Sequence, residues 1–312
     1  MKKYGFGVDI GGTTVKIGLF ETSGTLLDKW EIKTNTENGG VAILPDVVAS
    51  INAKMQEKGI SEDDVQGIGV GVPGPVRSDG TVLRCVNLGW GIVNVVEEMK
   101  KLTSIPSKVG NDANVAALGE MWQGGGQGHS NVIMVTLGTG VGAGVIIDGK
   151  MVVGAHGAGG EFGHVTVNED ETDVCGCGKK GCLEQYTSAN GITRVTKRRL
   201  AADNTPTKLR DLPEVNSKEI FDLAKEGDAV ALEQVEELGY TLGKALAGAC
   251  CIADPEIVVI GGGVSKAGQI LIDVVQKNFK KYCFHACSET EFALASLGND
   301  AGMYGCVQMI LE

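Results

Sequence analysis

Between Glu161 and Glu184 the chain reads Glu-Phe-Gly-His, an acidic run, then Cys-Gly-Cys-Gly-Lys-Lys-Gly-Cys-Leu-Glu. Cys175, Cys177 and Cys182 offer three soft donors in one short stretch, and His164 offers an imidazole upstream. Three thiolates and one imidazole form a closed tetrahedral set suited to structural zinc, because sulfur ligands select zinc over hard cations. With four protein ligands no position stays open for a reactive water, so such an ion braces its loop. The competing reading, three cysteines packed as small hydrophobes, sits poorly with the glycines and lysines between them. Glu161 and Glu184 stand at the two ends of this stretch. Two carboxylates and an imidazole in fixed relation suit a polyhydroxyl ligand, whose hydroxyls each need an aimed partner.

Five further places carry groups able to do chemistry. Asn111-Asp112-Ala113-Asn114 opens a helix expected over 113–122. A carboxylate there serves as a helix N-cap or as a general base on a rigid element. Residues 4–10 read as a strand, Gly11-Gly12-Thr13 as a turn, and 15–20 as the returning strand. That turn exposes successive backbone N–H groups, which make an anion nest. Thr13, Thr14 and Lys16 add donors, and Asp9 at the mouth can hold magnesium through water. The same residues also suit a plain hairpin turn. The pattern recurs with a strand at 131–137, the turn Gly138-Thr139-Gly140 and a strand at 141–147. Such recurrence points to an internal duplication, and two such turns can grip a polyphosphate. Gly261-Gly262-Gly263 follows a strand at 256–260 and lets an adenine or ribose approach the backbone closely, or simply makes a tight turn. Residues 65–72 run into Pro73-Gly74-Pro75, which sets Gly74 at a strand end, where ligands of open α/β sheets sit.

The elements that must position these groups alternate between strand and helix. Apolar spacing predicts helices over 40–58, 93–102, 189–202, 266–279 and 300–311, mostly helix over 217–253, and a late strand over 290–296. Gly124 to Gly128 reads as a connector. The expected division is a domain over 1–122, completed by the C-terminal helix 300–312, and a second over 123–299. A length of 312 residues is consistent with two domains, and 43% hydrophobic residues supply a sizeable core. The 47 glycines, about twice the usual share, cluster after apolar strands. A formal charge of −11 argues against nucleic acid as a partner. Lys197, Arg198 and Arg199 read as a solvated helix face. No apolar run is long enough for a bilayer and no signal core follows Lys2 and Lys3, so no membrane association and a reducing cytoplasm are expected. Cys85, Cys250, Cys251, Cys283, Cys287 and Cys306 are then buried thiols.

Together, Asp9-Ile-Gly-Gly-Thr13, Val72-Pro-Gly-Pro75, Asn111-Asp112, Leu137-Gly-Thr-Gly140, Glu161-Phe-Gly-His164, Cys175 to Glu184 and Gly261-Gly-Gly263 resemble the ROK family of sugar kinases. The resemblance covers nearly the whole chain, and its cysteine motif is the specific part. It implies two ribonuclease H-like domains of the actin-like, hexokinase-type ATPase class with a cleft between them. It implies ATP-dependent phosphorylation of glucose at the 6-hydroxyl, as in bacterial glucokinases. Related readings are a kinase for fructose, mannose or an N-acetylated hexosamine, or a sugar sensor without turnover. No helix-turn-helix precedes the first strand, which sets the chain apart from the family's repressors. The resemblance further implies Asp112 as base, Asn111, Glu161, His164 and Glu184 on the sugar, and both Gly-Thr turns on the phosphates of Mg-ATP. The triple-glycine turn falls near adenosine, zinc is structural, and the assembly is a homodimer.

Overall fold

The structure, a computed structural model, describes residues 2–312. The opening apolar runs form an antiparallel meander of β1 (Tyr4–Ile10), β2 (Thr14–Glu21) and β3 (Leu26–Lys33), in which Asp9 lies opposite Lys16. On the other side of β1, two strands join in parallel, β4 (Val65–Val72) and β5 (Ser107–Asn111). The order is β3-β2-β1-β4-β5, and the inner strands β1 and β4 are apolar on both faces because helices cover both.

The second sheet repeats this plan. Its strands are β6 (Val132–Leu137), β7 (Val141–Ile147), β8 (Lys150–Met151), β9 (Ile257–Gly261) and β10 (Glu291–Leu294). The order β8-β7-β6-β9-β10 matches the first sheet strand for strand. Both β6 and β10 run parallel to β9. The duplication read from two Gly-Thr turns is therefore a duplication of topology.

The helices are α1 (Ile43–Lys58), α2 (Val95–Leu102), α3 (Asp112–Gln123), α4 (Glu184–Thr187), α5 (Ala189–Ala202), α6 (Ser217–Lys225), α7 (Ala229–Ala253), α8 (Gln269–Tyr282) and α9 (Ala301–Leu311). Three starts differ from the apolar spacing. Before α1, Asn38, Gly39 and Gly40 hold φ of 52°, 77° and 69°, left-handed values that a right-handed helix excludes. Val93 and Asn94 pair with Val82 and Thr81, so α2 begins after an Asn94 cap. Gly268, with φ of 79°, ends a 3₁₀ turn over Gly263–Ala267 before α8 begins.

The chain forms two compact units, 1–128 with 144–160 and 297–312, and 129–143 with 161–296. Segment 144–160 was expected in the second domain. It joins the first because a Cβ on Gly144 would fall 2.5 Å from the Ala117 Cβ, so its backbone lies directly on α3. In the first unit α9 packs on α3 backbone to backbone: a side chain on Gly305 would run into the Val115 carbonyl, and one on Gly119 into Ala301. Four of the expected buried thiols are buried, but Cys251 is exposed and Cys283 partly so. Among the described residues no helix is long and apolar enough to cross a membrane.

Candidate active site

In the first unit, β5 delivers Asn111 and Asp112 to the start of α3. Asn111 is the N-cap: its Oδ1 accepts from the Ala113 and Asn114 N–H groups at 3.0 and 3.2 Å. Its Nδ2 donates to the Gly74 carbonyl and to Asp112 Oδ1, both at 3.0 Å. The capping role open to Asp112 thus belongs to its neighbour, and Asp112 is the exposed first helical residue, steered by Asn111. Gly74 holds φ of 93° against the Arg84 carbonyl, so this loop position requires glycine.

The first glycine turn lies in the same unit. Gly11 N–H donates to the Thr14 carbonyl at 3.0 Å, and the Thr34 hydroxyl to Gly11 O at 2.6 Å. Gly12 and Thr13 are exposed, while Gly11 and Thr14 are partly so. The Lys16 ammonium donates to the Asn299 carbonyl at 3.2 Å. Asp9 is partly buried at the end of β1; burial pushes its carboxyl up to about 6, Lys16 opposes the rise, and the Asp112 carboxylate adds to it. A carboxylate short of water and near a second one is a fitting ligand for a hard cation.

In the second unit the cysteine stretch folds as a tight hairpin. Cys175 N–H donates to Lys179 O at 2.7 Å, and Val174 bridges Lys180. Gly178 and Gly181 turn the chain at φ of 88° and 71°. Ligand atoms of His164, Cys175, Cys177 and Cys182 lie within 4.8 Å of one another. Tetrahedral bonds of 2.3 Å require sulfur atoms about 3.8 Å apart. The Cys177 and Cys182 sulfurs are 3.6 Å apart, and Cys175 Sγ is 3.8 Å from His164 Nδ1. The donor set therefore fits zinc. His164 turns Nδ1 to the thiols and Nε2 toward Glu161, 3.8 Å away. Cys175 donates its thiol proton to Glu184 Oε1 at 2.8 Å.

Of the other glycine turns, the one at 138–140 approaches Glu184 and the one at 261–263 approaches Leu137. A Cβ on Gly140 would fall 2.6 Å from Glu184 Oε2, and one on Gly262 would fall 2.6 Å from the Leu137 backbone. Gly138, Thr139 and Gly140 thus lie between the triple-glycine turn and Glu184. Gly261 is buried in β9, whereas Gly262 and Gly263 are exposed. Beside Gly263 opens a hollow of about 180 Å³ lined by Ser217, Phe221, Asp222, Val264 and Lys266 among others. Sequence reasoning missed the α6 side of this hollow, since nothing in the residues announces which helix faces the turn.

Lys197 and Arg198 are exposed as expected and Arg199 is partly so, but both arginines are held in ion pairs. Arg198 forks onto Glu171 at 2.9 and 3.0 Å, and Arg199 pairs with Glu233 and Asp203, both at 2.8 Å. The available signal was the i, i+4 spacing of Arg194 and Arg198 on one helix face, opposite an acidic run.

Two five-stranded sheets of one topology, joined to this cysteine loop, define a sugar kinase of the actin-like ATPase class. The ROK family model matches residues 5–312, and the chain belongs to that family. It is 40% identical to a glucokinase of Halalkalibacterium halodurans, across 96% of this chain and 92% of that one. It is 37% identical to a glucokinase of Thermotoga maritima, across 98% and 96%. Among solved structures it resembles a ROK glucokinase from Streptomyces griseus in complex with glucose and AMPPNP, with 33% identity, a TM-score of 0.73 and 98% of each chain covered.

Proposed function

We propose that the chain transfers the γ-phosphoryl group of ATP to the 6-hydroxyl of glucose, giving glucose 6-phosphate and ADP. The observation that carries this reading is Glu184 lying against Gly140, a hydroxyl acceptor beside an anion nest. It is supported by 40% identity to a glucokinase across 96% of the chain. Asn111, Glu161, His164 and Glu184 accept and donate to the sugar hydroxyls, with Gly74 lining the same site through its bond to Asn111. Asp112 takes the proton of the 6-hydroxyl and aligns its oxygen. The Gly11-Gly12-Thr13-Thr14 and Gly138-Thr139-Gly140 turns donate N–H and O–H groups to the phosphates, and Gly261-Gly262-Gly263 borders the adenosine. Phosphoryl transfer needs positioning and charge stabilisation above all. Asp9 would hold Mg²⁺, which would supply positive charge to the phosphates.

His164, Cys175, Cys177 and Cys182 would hold zinc, which would fix the imidazole orientation. With zinc bound, Cys175 would be a thiolate with no proton to give, which would leave Glu184 to accept from a sugar hydroxyl. The same reading makes the protein a cytoplasmic homodimer, which sedimentation of the purified chain tests. The deciding experiment is ADP release from Mg-ATP across a panel of glucose, fructose, mannose and N-acetylated hexosamines. Glucose is expected to give the highest kcat/KM, and Asp112→Ala to lower kcat by about 10²–10⁴-fold while sparing glucose binding. A protein that binds glucose yet releases no ADP with any hexose is a sensor, and the reading fails.

A further inference from the structure

The acidic run ahead of the cysteines contains one residue that is not solvated. The Glu171 side chain is 0% exposed. Its carboxylate accepts from Arg194 at 2.8 Å, from Arg198 at 2.9 and 3.0 Å, and from the Tyr186 hydroxyl at 2.6 Å. The Thr172 and Asp173 N–H groups add two bonds at 2.9 Å. The two guanidiniums hold this carboxyl far below the usual range, Arg198 first. A carboxylate this deep is tolerable only when its lone pairs are filled, and here the filling donors come from three segments.

Those segments flank the metal ligands and Glu184. Arg194 donates to the Gln185 carbonyl at 2.9 Å, directly after Glu184, and to Asp173 at 2.9 Å. Gln185 reaches back to the Asp173 carbonyl at 3.0 Å, and its Oε1 accepts from the Cys182 N–H at 3.0 Å. Asn168 donates to the Tyr186 hydroxyl at 2.8 Å, and the Arg194 guanidinium lies 5.4 Å from the Tyr186 ring centre. The loop is thus tied to α5 at residues 171–173 and to α4 at 185–186. No atom of this tie is a metal ligand.

We propose that Glu171, with Arg194, Arg198 and Tyr186, is a positioning cluster that presets both the Cys182 backbone and Glu184, so that it governs acceptor affinity and the lifetime of the bound metal. The acceptor half rests on Glu184 holding the hexose; the metal half does not. Outer partners of metal ligands typically change affinity by about 10–100-fold. Glu171→Gln keeps the shape and removes the charge that orders both arginines.

In Glu171→Gln, KM for glucose is expected to rise at least about tenfold with kcat nearly unchanged and KM for ATP unmoved. Zinc transfer to a chromogenic chelator should speed up by a similar factor. A merely structural role lowers the melting temperature and moves neither quantity at 25 °C. Arg198→Lys, which keeps the charge but loses the fork, should shift both readouts in the same direction by less, and carries the test if Glu171→Gln does not fold. Unchanged glucose KM and unchanged zinc release in either folded variant overturn the proposal. If the unmodified protein phosphorylates no hexose, the functional reading fails there, and the zinc release rates alone decide the cluster.

Discussion

Asn111 and Asp112 divide between them what one residue was expected to do. Asn111 caps α3 and bonds Asp112 Oδ1, which also accepts the Ala113 N–H at 2.8 Å, so one carboxylate oxygen is fixed and the group is aimed. Asp9 shows the opposite economy, a carboxylate kept where folding alone would prefer none. Its pKa is raised from 3.8 to about 6, burial first, so the folded chain holds the proton more tightly than the unfolded one. Its stability contribution is then full below pH 3.8 and lost as pH rises through about 6. A rise of this size corresponds to roughly 3 kcal/mol. Asp9→Asn is therefore expected to melt at a higher temperature than the native chain at about pH 8, with the gain shrinking toward pH 4. The same variant should lose turnover as the Mg-ATP site fails. Calorimetry across pH checks the first expectation, and a gain that grows toward acid would refute the Asp9 assignment.

At the scale of elements, the cysteine hairpin is a short loop with little apolar content, so its order depends on what crosses it. The proposed zinc would be one tie, and the Glu171 cluster is the other. Cys177→Ser is expected to abolish stoichiometric zinc and to raise glucose KM by about 10–100-fold, because ligand order and site order are coupled. Elemental analysis alongside kinetics reads both, and full activity in a metal-free variant would remove zinc from the account. This loop was legible in the sequence because soft ligands at close spacing have few other uses. The strands were legible too: β4 and β7 fall where their apolar runs fall, and in β4 burial on both faces leaves little room for polar residues. What was not legible depends on partners distant in sequence. Glu171 reads as one more solvated acid until α5 is folded beside it. Gly305 and Gly119 fall inside predicted helices, but nothing in the sequence shows that two backbones meet through them. The left-handed turn at 38–40 and the 3₁₀ turn before α8 set helix starts that apolar spacing does not encode.

Over the whole molecule, the repeated sheet order means that one strand plan supplies two glycine turns, one per unit. The residues proposed to hold the hexose divide in the same way. Asn111 and Asp112 belong to the first unit, while Glu161, His164 and Glu184 belong to the second. A ligand that binds only the folded chain stabilises it by about 2.7 kcal/mol at a hundred times its Kd. If both groups of residues hold glucose, that stabilisation is shared by amides in both units. Hydrogen exchange with glucose at this excess should slow around 111–114 as well as around 161–184. Asp112→Ala should keep the protection around 161–184, since Glu161, His164 and Glu184 remain. Glu184→Gln should lose most of it, because the carboxylate beside the second glycine turn is gone. Protection confined to 161–184 in the native chain would take Asn111 and Asp112 out of glucose binding and restrict Asp112 to proton transfer.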